Sequence, residues 1–181
     1  MKNQAPANTD LHQLGELIAP LEVAMLTTRT ADGSLVSRPL QTLKLDDNGE
    51  LLFFTSIKSH KVDELTADPT VNLAYADPSE QCYVSVRGRA RMDRDEDTIA
   101  ELWSPAQKIF FPDGKDDANL MVLRVRVQDA NYWEAAGNLV ARAFDFARGM
   151  LDDAPSDLGK HGHLQGKAPA PPKPDADPGA P

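Results

Sequence analysis

The sequence predicts one mainly β domain with short helices, built around an antiparallel barrel of six strands, and three observations carry that prediction. Short runs rich in β-branched and aromatic residues recur from Val23 onward. Turn-forming clusters separate them at Ala31-Asp32-Gly33, Asp46-Asp47-Asn48-Gly49 and Asp77-Pro78-Ser79. A length of 181 residues, with 41% apolar and 26% charged content, suffices for one domain with a core and is short for two domains and a linker.

Residues 1–10 form a loose, flexible start, and the folded domain spans 11–151. Leu11, Leu14, Leu17, Ile18 and Leu21 fall at helical spacing, with Asp10 or Thr9 available as a cap, so a short amphipathic helix opens the domain. Strands follow at 23–30, 35–45, 51–55, 71–75, 82–93 and 120–132, mostly joined by short turns, which favours an antiparallel barrel. Helices interrupt them at 61–67 and 95–103; the acidic stretch from Asp93 to Glu101 reads as a capped, solvated helix start. Residues 139–151 fit a helix or a final strand equally. From 152 to 181 the chain is crowded with Pro, Ala, Gly and Asp, lacks periodic apolar residues and reads as a disordered tail. His161 and His163 lie in that tail and read as solvated, so no metal site is expected.

Charge and composition narrow the function. A net charge of −9 repels nucleic acid and anionic membranes, so neither is an expected partner. No apolar run approaches the roughly 20 residues that cross a bilayer. The first residues carry no apolar stretch of the secretory kind, which makes the cytoplasm the expected compartment. The lone cysteine, Cys82, allows no internal disulfide and reads as a small core residue.

The chemistry concentrates at Phe53-Phe54-Thr55-Ser56-Ile57-Lys58-Ser59-His60-Lys61, where an apolar strand ends in hydroxyls and cations just before a helix. Ser59 is placed to cap that helix, whose first N–H groups and dipole favour an anion, and Lys58 and Lys61 add positive charge. The same residues are also compatible with a plain helix cap beside solvated lysines. In Ser37-Arg38-Pro39-Leu40 the proline removes a ladder donor, marking an irregular or edge position from which Arg38 reaches a phosphate or simply faces solvent.

Taken together, Met25-Leu26-Thr27-Thr28, Asp32-Gly33, Ser37-Arg38-Pro39-Leu40, Phe53-Phe54-Thr55-Ser56, Ser59 and Lys61 resemble the general stress protein 26 family. That family belongs to the pyridoxamine 5′-phosphate oxidase-like, FMN-binding split barrels. The likeness continues through Val84 to Gly88, Phe111-Pro112-Asp113-Gly114, Asn119-Leu120 and Tyr132-Trp133. It implies a six-stranded split β-barrel and a homodimer with one FMN in each of two clefts, FAD being the second candidate cofactor. Position by position, it implies phosphate ligands at Arg38, Ser59 and Lys61 with His60 beside them. Pro39, Leu40 and Gln41 would run along the flavin ring, Thr55 and Ser56 would meet the ribityl or phosphate end, and Trp103 and Trp133 would lie near the ring or the dimer contact.

The resemblance stops short of the true oxidases. They carry a cation where this chain has Leu43, with Lys44 one place on and facing the other side. Their C-terminal arginine- and histidine-containing substrate motif has no match here, so pyridoxamine phosphate oxidation is not expected. The implied activity is a flavin-dependent oxidoreductase drawing on NAD(P)H and a small acceptor. The alternative is a non-catalytic flavin store, carrier or sensor; haem or a deazaflavin is a third candidate for the cleft. No catalytic residue is singled out, because the cofactor would carry the chemistry.

Overall fold

The computed structural model describes residues 7–135 and 159–167. Helix α1 (Ala7–Ile18) leads into β1 (Val23–Arg29), β2 (Leu35–Gln41), the two-residue β3 (Lys44–Leu45) and β4 (Glu50–Ser56). Helix α2 (Lys61–Ala67), β5 (Thr70–Asp77), β6 (Cys82–Asp93) and α3 (Glu96–Leu102) follow. Two 3-10 turns, Pro105–Ile109 and Gly114–Asp116, precede the long β7 (Leu120–Ala135), and β8 (Gly159–Gln165) closes the described chain.

All ladders are antiparallel, in the order β2-β1-β5-β6-β7-β4-β3. Strand β7 holds β4 against residues 120–126 and β8 against residues 129–135, with β6 along its other edge. Ala24 and Leu26 of β1, Leu51 and Phe53 of β4, and Leu73, Val86 and Val125 between them all enter one buried cluster with α1. Strands from both ends of the order can meet in one core only if the sheet curls on itself. The curl is a split barrel, since β2 and β3 share no ladder among the described residues.

The turn signals act as expected. Gly33 and Gly49 adopt φ of 85° and 79°, values that favour glycine. Asp32 and Asp46 lock these turns by accepting from the backbone N–H of Ser34 and of Asn48 and Glu50. Where β6 shifts register beside Arg87 and Gly88, a Cβ on Gly88 would lie 2.7 Å from the Arg126 carbonyl, so the bulge needs a residue without one.

Strand β4 is buried on both faces, unlike a half-solvated antiparallel strand. Leu51 and Phe53 face the barrel core, whereas Phe54 joins Ile99, Phe111, Leu120 and Val122 in a second cluster beneath α3 and the 3-10 turns. Helix α3 is fastened there by Asp95, which accepts from the N–H groups of Asp97 and Thr98, and by Arg124, which reaches Asp93 and Asp95 at 3.0 and 2.7 Å. The acidic stretch is therefore not simply solvated.

Three boundaries need correction. The single strand expected over 35–45 divides into β2 and β3. Helix α1 begins at Ala7, so residues 7–10 are ordered and Asp10 accepts from the Gln165 N–H at 2.9 Å. Residues 159–167, expected within a disordered tail, include β8, whose polar composition hid it: Leu164 is its one core side chain. Residues 1–6, 136–158 and 168–181 lie outside the described residues, and with them the helix-or-strand question at 139–151. Cys82 is half-buried against the core. Among the described residues no helix is long and apolar enough to cross a membrane, and no His/Cys/Asp/Glu cluster could hold a metal.

Candidate functional site

A cavity of about 370 Å³ opens between the end of β4, the β2–β3 segment and the 3-10 turn after α3. Its polar end is built by Thr55, Ser56, Ser59 and Lys61; its apolar walls are Pro39, Leu40, Leu43, Phe54, Phe110 and Phe111, with Gln41 and Gln107 between. The two-sided burial of β4 explains the placement. Phe54 belongs to the outer cluster, so the strand carries its last residues out to the rim of the barrel, where the chain turns into α2.

Lys61 is the central group. Its ammonium donates to Thr55 Oγ1 at 2.9 Å and Ser59 Oγ at 2.7 Å, and among the described residues it forms no salt bridge. Burial first, and then the neighbouring Arg38 charge, push its pKa below the usual lysine value, while Glu64 opposes them. A partly desolvated cation held by two neutral hydroxyls is short of negative charge, and an anion entering the cavity would supply it.

Arg38 stands beside this group but not on the cavity wall. Its guanidinium donates to the Thr28 hydroxyl and pairs with Glu64 Oε2 at 2.8 Å, and Thr28 itself donates to Glu64 at 2.5 Å. The Thr28 hydrogen bond, followed by Arg38, holds the Glu64 carboxyl below the usual range, so the trio keeps its charges near neutrality. Arg38 thus acts on Lys61 only through its charge, which Glu64 opposes.

Seven of the eleven positions expected at the cofactor line the cavity: Pro39, Leu40, Gln41, Thr55, Ser56, Ser59 and Lys61. The other four do not. Besides Arg38, His60 is exposed and itself occupies the α2 N-cap, with no side-chain cap bond, which corrects the expectation that Ser59 caps the helix. Ser59 instead receives Lys61. Trp103 packs on Phe54 with ring centroids 6.1 Å apart, behind the wall. Trp133 lies at the far end of β7, exposed and against His161 at 5.5 Å. As expected from alternation, Leu43 faces the cavity while Lys44 turns outward to Glu101 at 2.5 Å.

Sequence reasoning did not place Phe54, Gln107, Phe110 or Phe111 on the site. Adjacent aromatics at Phe53-Phe54 and Phe110-Phe111 were the available signal. Gln107 offered none, being one polar residue in an irregular segment.

Comparison with known proteins bears on the family and the fold. A 26% identical relative, protein bli-3 of Neurospora crassa, aligns over 170 residues, 88% of this chain and 81% of its own. General stress protein 26 of Bacillus subtilis is 31% identical over 84 residues, covering 45% of this chain and 59% of its own. The crystal structure of a general stress FMN/FAD binding protein from Xanthomonas citri superposes with a TM-score of 0.62 at 25% identity, over 72% of this chain and 92% of that one. The family model described as pyridoxamine 5′-phosphate oxidase like matches residues 9–157. That match spans most of the chain and the fold is a split barrel, so the chain belongs to the pyridoxamine 5′-phosphate oxidase-like family.

Proposed function

We propose that the cavity binds FMN and that the protein is a flavin-dependent oxidoreductase, taking reducing equivalents from a reduced nicotinamide. The observation that carries this reading is Lys61: a partly buried ammonium that forms no salt bridge among the described residues, in a chain of net charge −9, at the polar end of an otherwise apolar cavity. These residues fit the group. A phosphate would take the free donor of Lys61 and the Ser59 and Ser56 hydroxyls, and a flat ring would lie between Leu43, Pro39 and the phenylalanines. The relative from Xanthomonas citri, described as binding FMN/FAD, supports a flavin as the occupant.

Bound FMN supplies two-electron redox chemistry. The protein's part is to anchor the phosphate, hold the ring in a water-poor wall and leave one face open to a partner molecule. A cytoplasmic setting, where reduced nicotinamides are at hand, is part of the proposal.

The proposal includes a homodimer. Register places Val23 and Met25 of β1, Ala74 and Ala76 of β5, Tyr83 of β6 and Trp133 of β7 on the sheet face opposite the core. Val23, Met25, Tyr83 and Trp133 are each more than 40% exposed, forming an apolar surface suited to a second copy.

The test is a titration of purified protein with FMN and with FAD, followed by NADH or NADPH under anaerobic conditions. The proposal expects about one FMN per chain and bleaching of the bound flavin faster than free FMN. Bound flavin that bleaches no faster than free FMN would remove the oxidoreductase and leave a flavin-binding protein.

A further inference from the structure

Gln107 is 6% exposed and lines the cavity, yet its amide makes a single contact among the described residues, from Nε2 to Gln41 Oε1 at 3.5 Å. That distance is the outer limit of a hydrogen bond. A glutamine amide carries two donors and a carbonyl with two lone pairs, and buried ones are normally satisfied. Here the carbonyl and one N–H have no protein partner among the described residues. The backbone of Gln107 is fully engaged, donating to Ser104 at 3.0 Å and accepting from Phe110 and Phe111 at 3.0 Å each, so the 3-10 turn holds the residue in place. Its surroundings are apolar: Phe111 stands edge-on to Phe54, at 84° and 6.4 Å between centroids.

We propose that Gln107, with Gln41, reads the imide edge of a flat heteroaromatic ring, the carbonyl, N–H, carbonyl sequence of a pyrimidine-dione. A ring lying against Phe111 and Leu43 brings its edge to the two amides, each of which offers a donor and an acceptor. A purely apolar occupant would leave the buried amide unsatisfied, and a ring without the N–H would leave the Gln107 carbonyl without its donor. This inference rests on the flavin reading above and deepens it: Lys61 and Ser59 select the phosphate, while Gln107 selects the ring. It makes Gln107 a specificity-determining residue.

The experiment is a fluorescence titration of wild type, Gln107→Leu and Gln41→Leu with FMN and with 3-methyl-FMN, in which the imide N–H is blocked. The expected result is that wild type prefers FMN by roughly three- to tenfold, a preference of the size of one neutral hydrogen bond, that Gln107→Leu binds the two alike, and that Gln41→Leu loses part of the preference. Equal binding of the two flavins by wild type, or full discrimination by Gln107→Leu, would overturn the inference while leaving the cavity a flavin site. Failure of wild type to bind either flavin would overturn both readings. Gln41 is exposed, so its variant decides the matter by the same ratio if Gln107→Leu does not fold: full discrimination there would overturn the inference.

Discussion

At the residue scale the site turns on how Lys61 is held. Among the described residues its two hydrogen-bond partners are neutral hydroxyls, and the adjacent Arg38 charge is already taken by Glu64. Lys61→Ala is therefore expected to weaken FMN binding by about 1.5–3 kcal/mol, the worth of a charge-assisted contact, and Arg38→Ala by less, as isothermal titration would measure. The same burial gives a pH signature. Because the pKa of Lys61 is depressed, its charged form is lost as pH rises through a value below 10.5, so FMN affinity should begin to fall earlier than for an exposed lysine. Lys61→Arg should move that fall to higher pH while keeping a cation; an unchanged profile would take the role away from Lys61. Here the sequence was informative up to a limit. Local spacing put Ser59 and Lys61 at the strand-to-helix turn, but whether Arg38 points to the cavity or to Glu64, 26 positions on, depends on the β1–β2 pairing that sets Arg38 against Leu26.

At the element scale, β4 and β8 show opposite faces of the same limit. A continuous apolar run announced β4, and its burial on both sides is what carries Thr55 and Ser56 to the rim. Strand β8 reads Gly-Lys-His-Gly-His-Leu-Gln, with almost no strand signal, and exists because the second half of β7 offers an open edge. Its fit depends on Gly162, where a Cβ would overlap the Tyr132 ring. The Tyr132 hydroxyl in turn accepts from Gln13 Nε2 of α1 at 3.0 Å, so β8, β7 and α1 form one joint. Gly162→Val is expected to detach β8, costing about 1–3 kcal/mol and speeding amide exchange across residues 129–135. The flavin site, which depends on β4 beside residues 120–126, should keep its affinity. Loss of FMN binding in that variant would mean that the tail strand supports the site.

At the scale of the whole molecule two properties follow from the closed core and the apolar outer face. Tyr75 is buried at the core with its hydroxyl 2.9 Å from Thr42 Oγ1, and burial raises its pKa from 10.0 to about 12. The unfolded phenol ionises first, so this group's contribution is fully present below pH 10 and is lost as pH climbs to about 12. Alkaline unfolding should become shallower over that interval in Tyr75→Phe, as followed by circular dichroism. The outer face predicts association: Met25→Glu, placing a charge on the exposed apolar surface, should shift the proposed dimer to monomer in light scattering without unfolding the protein. A wild-type monomer at micromolar concentration would contradict the dimer. The barrel itself was legible in the turn signals and strand runs. The cavity's far wall was not, because Gln107, Phe110 and Phe111 come to it from an irregular segment that no periodicity describes.

The most direct test of the central claim is the visible spectrum of the protein after incubation with FMN and desalting, for wild type and Lys61→Ala side by side. Retention of flavin bands at about one FMN per chain by wild type, with loss from Lys61→Ala, is the predicted result. A wild-type protein that emerges colourless, or a Lys61→Ala protein that holds FMN equally well, would contradict the assignment of this cavity as a flavin phosphate site.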